Sequence, residues 1–168
     1  MTWSRLVTSV LSIAVIGFLA LGLISTSAFA STTTTTFNVT AGIGNACTVS
    51  ATNMNFYTVV TTVANTATST ITVNCTNNDV YQVGLGAGDS GVETARYMKG
   101  INTPANHLTY GLYNNAGMTV NWGQTTGGQV AGVGNGANQV LTVYGNIPIQ
   151  GSPGTDNYSD TITVTLTY

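Results

Sequence analysis

The chain has 168 residues, only 5% of them charged, with three Lys or Arg against five Asp or Glu and a formal net charge of −2. Beyond the first thirty residues the only cations are Arg96 and Lys99, too few to neutralise a run of phosphates, which excludes nucleic acid and anionic lipid as natural partners. Solubility then rests on Thr, Asn, Gly and Ser, a composition suited to an exported protein of strands and turns that leaves little charge to hold molecules apart.

In chain order, Arg5 precedes an apolar run from Leu6 to Ile24, and Ala28-Phe29-Ala30 follows as an A-x-A cleavage pattern. Residues 1–30 are therefore predicted to be a secretory signal peptide. A retained membrane anchor is the rival reading, weakened by Thr8, Ser9 and Ser12, which dilute the run. Next comes STTTTTFNVTAGIGN, in which a threonine run leads into the alternation Phe37, Val39, Ala41, Ile43. This predicts a β-strand ahead of the rest of the domain. Behind it no stretch carries a period of 3.6, whereas short runs of period two recur between Gly, Asn, Asp and Pro clusters, the pattern of an antiparallel sandwich or barrel.

CTVSA puts Cys47, Val49 and Ala51 on one face, and STITVNC does the same for Ile71, Val73 and Cys75. As antiparallel neighbours, the two strands would bring the start of one near the end of the other. Two cysteines in an exported chain predict one disulfide, Cys47–Cys75, which staples them there. With neither CxxC spacing nor a neighbouring histidine, a redox or metal role is not expected. Further strands are predicted at VYQVGLG, HLTYGLY, MTVNW and NQVLTVYGNI, with Glu93 to Lys99 the one helical candidate. The last strand, DTITVTLTY, alternates Ile162, Val164, Leu166 and Tyr168 with threonines, and Tyr168 ends the chain. Many sandwiches end on a terminal strand. Here, however, a leading strand stands outside the stapled block, so the leading segment of one molecule is expected to complete the sheet of the next.

The residues for chemistry point elsewhere. GLGAGDSG and GVGNG lack the strand–glycine–helix context of a nucleotide loop, and turn geometry explains their glycines. His107, the only histidine, has no GxSxG elbow or anchoring carboxylate near it in sequence and is expected in an exposed loop. No DxDxDG calcium loop is present, and the five carboxylates are scattered. Tyr81 and Tyr110 share parity with Val83, Leu85 and Leu112 and are assigned to the core, which leaves too few aromatics for a sugar-binding face. No enzyme activity, cofactor or metal is expected.

The segments ARYMKGINTPANHLTYGLYNNAG, NWG and LTVYGNIPIQGSPGTDNYSDTITVTLTY, with the opening TFNVTAGIGNACTVSATNMNF, resemble the spore coat protein U domain family, which includes subunits of archaic, Csu-type, chaperone-usher pili. The likeness spans nearly the whole chain after residue 30. It implies an all-β, incomplete immunoglobulin-like β-sandwich with six strands of its own, the seventh supplied in trans by donor-strand complementation. Residues 31–45 would be the donor-strand extension and 46–168 the pilin domain. Phe37, Val39, Ala41 and Ile43 would be the donor positions, with Ala41 filling its place lightly. The last strand, through Ile162, Val164, Leu166 and Tyr168, would border the acceptor groove and bind the chaperone.

The partners implied are other copies of the chain or related pilus subunits, a periplasmic chaperone and an outer-membrane usher. The product would be a secreted surface fibre supporting adhesion and biofilm. The chain has a donor segment and no room for a receptor-binding domain, so the role expected is shaft or adaptor subunit. The alternatives are a self-contained secreted binding module and a spore or cyst coat protein.

Overall fold

A computed structural model describes residues 29–168. The predicted signal peptide, apart from its last two residues, lies outside the described residues. The chain divides into two units at Thr40/Ala41. Residues 29–46 form no strand, and Phe37, Val39 and Ile43 are each more than four-fifths exposed.

Nine strands follow: β1 (Cys47–Ala51), β2 (Asn65–Cys75), β3 (Val80–Leu85), β4 (Arg96–Gly100), β5 (His107–Tyr113), β6 (Val130–Val133), β7 (Gln139–Ile147), β8 (Tyr158–Ser159) and β9 (Val164–Thr167). The order β1-β2-β7-β5-β4-β8 makes a six-stranded sheet and β6-β3-β9 a three-stranded one. The described residues hold no α-helix, only a 3-10 turn at Gly88–Ser90.

Period two explains the layering. In β2, Ile71, Val73 and Cys75 point inward and are buried, whereas Thr66 and Thr68 of the other parity are exposed. β-branched residues suit both faces of such a strand. Together with Tyr81, Val83, Leu85, Leu108, Tyr110, Leu112, Trp122, Val143 and Ile147 they form one core. Trp122 is 1% exposed and its indole N–H donates to the Val83 carbonyl at 2.9 Å, so its one polar atom is satisfied inside.

Cys47 and Cys75 are paired in register across β1 and β2 and joined by the disulfide. The bridge closes a loop of about 29 residues, a cross-link that removes roughly 3–4 kcal/mol of freedom from the unfolded chain. The double variant Cys47→Ala/Cys75→Ala is therefore expected to lose about that much stability, read as a lower denaturant midpoint with a somewhat steeper slope, since the freed unfolded chain exposes more surface. A midpoint equal to wild type would contradict the argument.

The structure corrects several expectations. Among the described residues there are nine strands where the resemblance implied six. Glu93 to Lys99 is no helix: Arg96–Gly100 is β4, paired with β5 at Arg96↔Tyr110, because the Arg96 side chain is drawn inward onto carbonyls. MTVNW contributes only an isolated bridge, Tyr113↔Asn121. The final strand is shorter than DTITVTLTY suggests: only Val164–Thr167 pairs, on β3, while Tyr158–Ser159 ahead of it pairs with β4. Asp160 stands between the two, and its carboxylate accepts the N–H of Asp89 at 2.9 Å and of Thr161 at 2.7 Å. His107 is exposed as expected, but it opens β5 and its ring stacks on Tyr97 at 4.0 Å between centroids.

Candidate functional site

β9 lies at the end of its sheet. One edge is hydrogen-bonded to β3, with Val164 opposite Leu85 and Leu166 opposite Val83, and the other edge is hydrogen-bonded to no strand among the described residues. Beside it runs a groove of about 1070 Å³. Core side chains from both sheets reach it, among them Ile71, Leu85, Leu108, Leu112, Val143 and Ile147. One wall is the irregular segment after β1, where Met54 and Phe56 pack on the core. Gly145 of β7 makes room for that wall, since a Cβ there would collide with Met54 and Phe56. The opposite wall is the chain from Ser152 to Ile162, and then Val164.

The predicted acceptor residues divide accordingly. Ile162 and Val164 line the groove. Leu166 packs against the core but lies outside the groove, and Tyr168 is 58% exposed beyond the end of β9. An unpaired strand edge beside an apolar groove is a template for another strand. What the arrangement offers is a place for backbone pairing and apolar burial. Among the described residues no cluster of three or more His, Cys, Asp or Glu could hold a metal.

A buried polar network holds the groove's walls in place, and the sequence reading missed it. Arg96 is 0% exposed. Its guanidinium donates to the carbonyls of Leu85, Gly86, Glu93 and Trp122 at 2.7–2.9 Å, and to Asn121 Oδ1 at 3.3 Å. Burial pulls its pKa below the ordinary value, while Tyr110, Glu93 and Asp160 work the other way. The Tyr110 hydroxyl donates to Asp160 Oδ2 at 2.6 Å. The one available signal was the lone arginine of the chain beyond residue 30, in a domain nearly free of charge.

Asp156 closes the loop end. Desolvation opposes ionisation of its carboxyl, but the N–H groups of Thr103, Asn102 and Asn157 and the Asn102 side chain outweigh this and hold it below the usual carboxylate range. Gly100 is needed beside it, since a Cβ there would sit 2.6 Å from Thr103 O and 2.7 Å from Asp156 Oδ2.

Burial pushes the Tyr110 hydroxyl well above its ordinary pKa, and its hydrogen bond and proximity to Asp160 add to the rise. A raised folded-state value means that the folded chain keeps its proton where the unfolded chain loses it. The contribution is therefore intact below the unfolded value of about 10 and is lost as pH climbs beyond it. Stability is expected to fall on the alkaline side of that pH, and Tyr110→Phe to flatten that limb, read from denaturation midpoints across the range. An alkaline slope unchanged in the variant would overturn the assignment.

Comparison with known proteins bears on this site. The chain is 28% identical over 156 residues to Protein U of Myxococcus xanthus, covering 83% of this chain and 87% of that one. Its fold is similar to a chain in the crystal structure of the chaperone–tip adhesion subunit pre-assembly complex from the archaic chaperone-usher Csu pili of Acinetobacter baumannii. The TM-score is 0.55 and the identity 21%, over 74% of this chain and 40% of that one. The Spore Coat Protein U domain model matches residues 33–165. That span takes in the residues organising the groove, from Arg96 and its carbonyls through Asp160 to Val164, and the chain belongs to the Spore Coat Protein U domain family, whose members are non-enzymatic structural proteins.

Proposed function

We propose that the chain is a structural subunit of an extracellular surface fibre, built by donor-strand complementation. Residues 31–45 are the extension: Phe37, Val39, Ala41 and Ile43 of one copy, or of a related subunit, enter the groove of another and pair with the open edge of β9. The domain over 46–168 is then an incomplete immunoglobulin-like sandwich whose last strand comes in trans. Strand addition of this kind, with chaperone–pilin complexes among its known cases, combines ladder hydrogen bonds with pockets for alternate side chains.

One observation carries the reading. A groove of about 1070 Å³, lined by apolar side chains, runs beside an unpaired strand edge, in a chain that also carries an exposed alternating apolar segment. A bare groove of this kind invites aggregation. A periplasmic chaperone is accordingly the first occupant, binding along Ile162, Val164, Leu166 and Tyr168, and an outer-membrane usher is where it is exchanged. The similarity to a chaperone–subunit complex supports these partners. A shaft or adaptor role fits a subunit with both groove and extension.

The test is electrophoresis of unheated material, which should give a ladder of oligomers that collapses on boiling and disappears when residues 31–43 are deleted. A ladder that survives the deletion overturns the proposal. The likeness to Protein U favours a second setting, a spore or cyst coat, in which the same joint would serve.

A further inference from the structure

We infer that successive copies also touch end to end beside the strand joint: the disulfide end of the copy that supplies the segment docks on an apolar rim, Tyr57, Val60, Val63 and Ile149, of the copy that receives it. This rests on the donor-strand reading above.

The rim is exposed and held in shape. Its four side chains are 87%, 52%, 53% and 68% exposed. The Asn65 amide donates to the carbonyls of Val60 and Val63, both at 2.9 Å, and the Gln150 N–H donates to Thr61 O at 3.1 Å. These bonds fix the loop after residue 57 against the end of β7, where Asn65 pairs with Ile147. Exposed apolar side chains gathered in this way mark an interaction surface.

The occupant follows from the length of the chain. The groove runs along the half of the domain that contains Ala51, Ile71, Leu85 and Val164, and its lining includes Tyr57 of the rim and Thr61 between Val60 and Val63. The disulfide lies at the opposite end, where Cys47 starts β1 beside the loops Thr76–Asp79 and Gly134–Asn138. β9 runs from Val164, opposite Leu85, towards the disulfide end, so a segment paired antiparallel to it leaves the groove at its Ile43 end on the rim side. Only Gly44, Asn45 and Ala46 separate Ile43 from Cys47, a reach of about 14 Å when fully extended. So short a tether sets the disulfide end of the donor copy on the acceptor's rim. Charge does not oppose the contact, because the rim loops carry none and the only charged residue in the two facing loops, Asp79, is buried.

The test uses full-length chain polymerised as above, with two double variants at exposed positions, Val60→Cys/Asn77→Cys and Ile149→Cys/Ala137→Cys, under mild oxidation. A ladder that resists boiling is expected in at least one double variant and in no single one. Inserting ten Gly-Ser residues after Gly44 should cut the cross-linked fraction at least about tenfold, because a longer tether dilutes one end against the other. A heat-labile ladder with no cross-link in either pair, or a cross-link indifferent to the insertion, overturns the end-to-end contact and leaves the strand joint standing. Wild-type chain that forms no ladder removes both.

Discussion

Phe37→Asp is expected to abolish the heat-labile ladder while leaving the domain over 46–168 folded. The two halves of that outcome have separate causes. Phe37 is 85% exposed, so the substitution takes nothing from the core. In the proposed joint, however, the side chain would enter a groove lined by Ile71, Leu85, Leu112 and Val143. Losing that burial costs about 1.5–3 kcal/mol, and setting an unpaired carboxylate among apolar walls adds a further penalty of several kcal/mol. A total above roughly 4 kcal/mol lowers the equilibrium for joint formation about a thousandfold. Ile43→Asp should behave alike, and Asn38→Asp, of the other parity, should be far milder. A peptide of residues 31–45 added to chain deleted for 31–43 reads the same effect as binding. Equal binding of wild-type and Phe37→Asp peptides would sink the donor assignment.

What was legible in the sequence is what period two and cysteine counting can carry. The all-β class followed from alternation between turn clusters, and the antiparallel β1–β2 pair with its disulfide followed from the parity of Cys47 and Cys75. The burial of Tyr81 and Tyr110 followed from their parity with Val83 and Leu112. Side chains that leave their parity to satisfy distant backbone were not legible. Asp160 heads the predicted strand, yet pairing starts only at Val164: its carboxylate binds Tyr110, fifty residues away in the chain, and the N–H groups of Asp89 and Thr161. Glu93 to Lys99 suggested a helix for the same kind of reason, since local composition says nothing of the carbonyls that wait for Arg96. The groove shared this character. Ile162 and Val164 could be read as an apolar face, but Met54, Phe56 and the glycine that admits them, Gly145, belong to segments whose meeting only the fold reveals.

Arg96→Leu is expected to unfold the domain or leave it barely stable. Leucine fills part of the volume, yet it strands the carbonyls of Leu85, Gly86, Glu93 and Trp122 together with Asn121 Oδ1. A buried acceptor left without a donor costs about 1–3 kcal/mol, so even two or three of the five take a large part of the roughly 5–15 kcal/mol by which a domain is stable. Arg96→Lys tests the mechanism, for an ammonium keeps the charge but offers three donors against the five N–H groups of a guanidinium, and it should recover only part of the loss. Two of the carbonyls, those of Leu85 and Gly86, lie at the end of β3, where Leu85 is paired with Val164, so the wall of the groove is expected to loosen before the disulfide end does. Trp122 fluorescence in denaturant and hydrogen exchange at Leu85 and Gly86 would read the two effects separately. Stability of Arg96→Leu within about 1 kcal/mol of wild type, less than a single stranded acceptor should cost, would show that the guanidinium does not hold that wall in place.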